Sequence, residues 1–141
     1  MRYRLAAGSI AISLCLGLAG CSRMGDDVLT RNASGADLLV RPLSAMVSVL
    51  KAGESRDKLW IAPLNRQEAL LKRGDCLYTY PAPDVSQLPK TVRAARLKTV
   101  VIHEDMRMSL HVRSEDGTDG PEVLVAGFPL RPTTFCGREA S

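Results

Sequence analysis

A chain of 141 residues with 19 Lys+Arg against 15 Asp+Glu, a formal net charge of +4, four cysteines and six aromatics has room for one compact domain, since domains run to roughly 100–150 residues. A hydrophobic content of 45% excludes wholesale disorder. An excess of four positive charges defines no partner until its distribution along the chain is known.

Arg2 and Arg4 precede an uncharged apolar run from Leu5 to Leu18. A helix needs about 20 apolar residues to cross a hydrocarbon core, so the run is short for a permanent span. A basic end, a short apolar stretch and small residues, in that order, make an export signal. No amphipathic stripe supports a buried core helix in its place.

Leu18-Ala19-Gly20-Cys21 resembles the lipobox of bacterial lipoproteins. The resemblance covers residues 1–21 and carries no information about the fold beyond them. It implies diacylglycerol on the Cys21 sulfur, cleavage after Gly20 and N-acylation of the new terminus. Small Ala19 and Gly20 suit an extended passage through a peptidase cleft, and only a cysteine offers the thiol that becomes a thioether. Because each buried CH₂ contributes about 0.8 kcal/mol, two or three acyl chains anchor durably. Among lipoproteins of Gram-negative bacteria an aspartate after the lipidated cysteine favours inner-membrane retention; Ser22 stands here, which implies the periplasmic face of the outer membrane for such a cell. Cleavage would leave 17 Lys+Arg against 15 Asp+Glu in residues 21–141, so half of the apparent basicity belongs to the signal.

With Cys15 discarded and Cys21 acylated, Cys76 and Cys136 remain in an oxidising compartment, where two leftover thiols pair. The loop closed is about 61 residues, which the chain-entropy model values at roughly 4 kcal/mol. Redox catalysis uses close thiols of the C-x-x-C kind, absent here, and two cysteines with two scattered histidines lack zinc-ligand spacing. No metal or small-molecule cofactor is expected.

The tether, residues 22–27, reaches only about 20 Å when extended, which holds residues 28–141 close to a bilayer. Short apolar runs then alternate with turn residues: Val28 to Asn32, Asp37 to Arg41, Met46 to Leu50 and Lys58 to Ala62 read as strands. Asn65 with Glu68 has the spacing of a capping box and Gly74 that of a stop, which predicts a two-turn helix from Arg66 to Arg73. Cys76 to Tyr80 resumes as a strand. Lys98 to His103 and Met106 to Arg113 read as a hairpin about Glu104-Asp105, the second strand alternating apolar even positions with polar odd ones. A last strand, Glu122 to Ala126, follows the acidic turn from Glu115 to Pro121. About eight short strands with one short helix predict a mainly β domain, a small antiparallel β-sandwich or barrel.

Catalytic signals are sparse. His103-Glu104-Asp105 and His111 invite an acid–base reading, but a two-residue turn places His111 opposite Lys98, away from His103, on a polar face. No G-x-S-x-G, S-x-x-K or H-E-x-x-H motif is present. The acidic turn lacks the ligand alternation of a calcium loop, and Asn32-Ala33-Ser34, though a sequon, reads as turn composition. Trp60, Tyr78 and Tyr80 suit core packing around the cysteine pair as well as a binding surface. Lys90, Arg93, Arg96 and Lys98 form an acid-free basic run able to meet lipid phosphates or an acidic protein. Nucleic acid is excluded as a partner by export and by the lack of an aromatic platform.

The expectation is a membrane-anchored, non-catalytic envelope protein whose domain binds another envelope protein or scaffolds an assembly. The alternative is an inhibitor of a secreted enzyme, similar to lysozyme-inhibitor lipoproteins, using the acidic turn. An enzyme of unknown type comes third.

Overall fold

The structure is a computed structural model and describes residues 28–41, 47–57 and 69–137. The signal, Cys21 and the tether lie outside the described residues, as do Trp60 and the strand expected from Lys58 to Ala62.

Two five-stranded sheets face each other, and neither closes into a barrel. The first has the order β4 (Ser55–Asp57), β1 (Val28–Asn32), β7 (Lys98–Ile102), β8 (Met108–Arg113), β9 (Asp119–Glu122). The second runs β10 (Thr133–Cys136), β6 (Cys76–Tyr80), β5 (Ala69–Arg73), β2 (Leu38–Val40), β3 (Ser48–Leu50). Pairing is antiparallel except between β1 and β7, which run parallel from Val28↔Lys98 to Asn32↔Ile102. Side chains point alternately to the two faces of each short strand, and burial follows this in β1 and β2, whereas β7 is covered at every position and β10 is exposed throughout. Leu38, Val40, Leu50, Leu71, Tyr78 and Tyr80 from one sheet meet Val100, Ile102, Met108 and Leu110 from the other. Each such side chain contributes about 1.5–3 kcal/mol on burial.

Three polar clamps join the sheets. Asn32, fully buried at the end of β1, donates from Nδ2 to the carbonyls of Ala36 (2.8 Å), Leu50 (2.9 Å) and Lys51 (3.1 Å), while its Oδ1 accepts from the Ser34 amide and hydroxyl. The sequon asparagine is thus a structural hub with its amide fully engaged. Arg56 on β4 donates to the Val49 carbonyl at 2.8 Å and to the Ser48 hydroxyl, stitching one edge. Tyr80 Oη donates to the Met106 carbonyl at 2.6 Å in the core, and burial pushes its phenol well above the ordinary tyrosine range.

Two sequence expectations are corrected. Ala69–Arg73 is strand β5, not the end of a helix: the Gly74-Asp75 turn, with Gly74 at φ 57°, folds it back on β6 with Arg73 opposite Cys76. The α-helix of the described residues is α1 (Lys90–Ala94), whose Val92 is buried. The strand expected from Glu122 to Ala126 lies earlier, as β9. Ser114 and Thr118 close the turn with a 2.8 Å backbone hydrogen bond, so pairing with β8 starts at once from Asp119. Beyond Val123 the chain leaves the ladder, and Ala126 and Gly127 both take positive φ. Cys76 and Cys136 lie directly opposite on β6 and β10 and form the expected disulfide.

Candidate functional site

The outer faces of the two sheets differ in chemistry. On the second sheet, register places Phe135, Leu77, Lys72, Leu39 and Val49 side by side in one row across all five strands. A second row runs through Thr133, Thr79 and Leu70 to Arg41 and Val47. Val47, Phe135, Val49 and Leu39 are 63%, 58%, 45% and 39% exposed. Lys72 and Arg41 are exposed among them, and none of the five strands contains an acidic residue. Leu39, Val47, Leu70, Lys72 and Leu77 line a shallow groove of about 290 Å³ on this face. Contiguous apolar surface of this kind marks an interaction site, because leaving it in water is costly.

Alternation explains how the face arises. In β2 the outer residue of Leu38-Leu39-Val40 is itself a leucine, as Leu70 is in β5 and Leu77 in β6. Both sides of these strands are therefore apolar. That signal was present in the sequence, where Leu38-Leu39-Val40 and Leu70-Leu71 break strict alternation. It gains meaning only once register aligns the outer positions.

The outer face of the first sheet is a polar network. Asp119 on β9 reaches across the sheet, accepting from Thr99 Oγ1 at 2.6 Å and pairing with Arg31 at 2.7 Å. Burial pushes its carboxyl up, but the Thr99 hydrogen bond and the Arg31 charge outweigh that and leave it below the ordinary range. Arg107 pairs with Glu122 at 3.0 Å and with Asp105 at 3.6 Å.

The histidines are not separated. The β7–β8 turn holds three residues, Glu104, Asp105 and Met106, the last at φ 65°. The His103 amide bonds to the Arg107 carbonyl, and His111 falls opposite Thr99 instead of Lys98. Ser109 Oγ then bridges the rings, 2.7 Å from His103 Nε2 and 2.9 Å from His111 Nε2. His111 Nδ1 lies 2.9 Å from the Gly120 carbonyl oxygen and must carry a proton to bond it. In neutral His111, Nε2 accepts from the Ser109 hydroxyl, which in turn accepts from His103 Nε2–H. Burial, then the Arg107 charge, hold His103 below its ordinary pKa against the pull of Asp105 and Glu122. The serine–imidazole spacing is that of a nucleophile and its base. Ser109, however, is fully covered, and its oxygen is engaged by both rings.

The remaining candidates separate. Lys90, Arg93 and Arg96 are exposed, whereas Lys98 is buried on β7 with its ammonium donating to the Ala95 carbonyl. The basic patch thus has three members, and Arg96 lies beyond the end of α1. Tyr78 and Tyr80 pack in the core. The acidic turn is organised internally: the Thr118 amide bonds Asp116, whose carboxyl is lowered chiefly by that hydrogen bond. Among the described residues no group of three His, Cys, Asp or Glu side chains is placed to hold a metal.

Comparison with models of known protein families, with curated proteins and with solved structures returns no match.

Proposed function

We propose that this protein is a lipid-anchored envelope protein whose β-sandwich is a non-catalytic binding or assembly module. Acylation of Cys21, removal of the segment before it and a six-residue tether would hold the domain at the periplasmic face of the outer membrane in a Gram-negative cell. The observation that carries the binding half is the apolar outer face of the second sheet, whose five strands hold no acidic residue and whose rows nothing in those strands covers. A tether raises the effective concentration of such a face at the membrane, so a contact too weak to act in solution suffices there. The non-catalytic half is supported by the chemistry-bearing groups being spent on one another: Ser109 lies covered between two imidazoles, and the carboxylates of Asp119 and Glu122 are paired with arginines.

The anchor is tested by replacing Cys21 with alanine in cells. Incorporation of radiolabelled palmitate is expected to vanish, and the protein to leave the membrane fraction. Continued labelling of the variant would remove the lipoprotein reading.

A further inference from the structure

We propose that the outer face of the second sheet lies on the lipid surface itself, with its aliphatic side chains at the acyl boundary and Lys72 and Arg41 against anionic phosphate headgroups. The inference rests on the anchored reading above and names the occupant of that face.

Three observations select a bilayer. The first is composition: the exposed Leu39, Val47, Val49 and Phe135 surround two cations with no acid in any strand of the sheet. Anionic headgroups attract basic residues near the surface, and long cationic side chains keep their heads among phosphates while their stems lie along apolar surface. The second is shape. The face is a sheet surface with one shallow groove, which suits a planar partner better than a protruding peptide. The third is reach: β1 begins at Val28 in the first sheet, one sheet spacing of about 10 Å from the second, and the extended tether of about 20 Å spans that step with length to spare. Docked this way, the domain turns the polar outer face of the first sheet, with Arg31, Asp119, Arg107 and Glu122, away from the membrane and toward soluble or protein partners.

The test places an environment-sensitive fluorophore on Val49→Cys in the acylated protein, with Glu115→Cys in the exposed β8–β9 turn as reference. Each protein is reconstituted into vesicles of phosphatidylethanolamine and phosphatidylglycerol carrying doxyl-labelled chains, and into vesicles of phosphatidylcholine carrying the same quencher. Near-UV circular dichroism verifies the fold of both variants. The expected result is roughly threefold more quenching at position 49 than at 115 in the anionic vesicles. The difference is expected to shrink in phosphatidylcholine, with Lys72→Glu, and on raising salt from about 0.1 M to about 1 M, where the screening length falls from about 10 Å to about 3 Å. Equal quenching at both positions, or a difference indifferent to lipid charge, would overturn the proposal. So would a position 49 probe that is unquenched by lipid yet crosslinks to an acidic protein in cells. Absence of acyl mass on Cys21 would remove the anchor instead, and the same two probes in a Cys21→Ser background, added to these vesicles, would still decide the face.

Discussion

At the scale of single residues, Asn32 is the side chain on which most depends. Its amide group satisfies three carbonyls, two of them at the end of β3 in the opposite sheet, and its own oxygen caps Ser34. Asn32→Ala removes these bonds from the junction of the sheets; the Ala36 and Lys51 carbonyls keep the Ser34 hydroxyl and the Glu54 amide as donors, so a loss of about 1–3 kcal/mol, that of one orphaned buried group, is expected in urea unfolding. From the sequence this residue reads as turn composition, because a buried amide has no local signature and its partners lie as far as 19 positions along the chain. The histidines tell a similar story. His103 titrates below its ordinary value of 6.5 because burial and Arg107 disfavour its charged form. The unfolded chain then binds the proton more readily than the folded one. Stability is expected to hold above the unfolded value and to fall as the pH drops through 6.5 toward the lower folded value. His103→Gln, which retains a donor toward Ser109, is expected to flatten that dependence in denaturation curves between about pH 7 and pH 5; an unchanged slope would assign it elsewhere.

At the scale of elements, the β7–β8 turn shows why register escaped the alternation pattern. Even-numbered Met108, Leu110 and Val112 face the core as their periodicity predicts, but the turn takes one more residue than Glu104-Asp105 suggests. Met106 adopts a left-handed conformation normally left to glycine or asparagine, and its side chain is nevertheless fully buried. Packing of the methionine and the Tyr80 hydrogen bond to its carbonyl hold it there. Tyr80→Phe is expected to cost about 1–3 kcal/mol by leaving that carbonyl unpaired in the core, measurable by urea unfolding against Tyr78→Phe. Helix propensity misleads at Ala69–Arg73 for a related reason: all five residues are good helix formers, yet pairing with β2 and β6 outweighs propensity. Gly74-Asp75 between two apolar runs was the legible sign of a hairpin. At β9 the pairing of Asp119–Glu122 follows from a short turn and not from the apolar run that begins after Glu122.

For the whole molecule, the mainly β, two-sheet architecture was legible because strand-length apolar runs and turn residues repeat along the chain. The disulfide was legible from the expectation of export and cysteine arithmetic together. The parallel β1–β7 pair and the cross-strand rows of the second sheet depend on strand order, which no local pattern encodes. Cys76–Cys136 fastens edge strand β10 to β6 across a separation of 60 residues. Replacing both by serine is expected to lower stability by roughly 4 kcal/mol, seen as a lower urea midpoint, with the reduced wild type behaving alike. Covalent anchoring of the sandwich is tested by the intact mass of the protein extracted from membranes without reduction. The expected species begins at Cys21, carries a diacylglycerol and one further acyl group and has no reactive thiol. A mass that retains residues 1–20, or an unmodified Cys21, would contradict that anchoring.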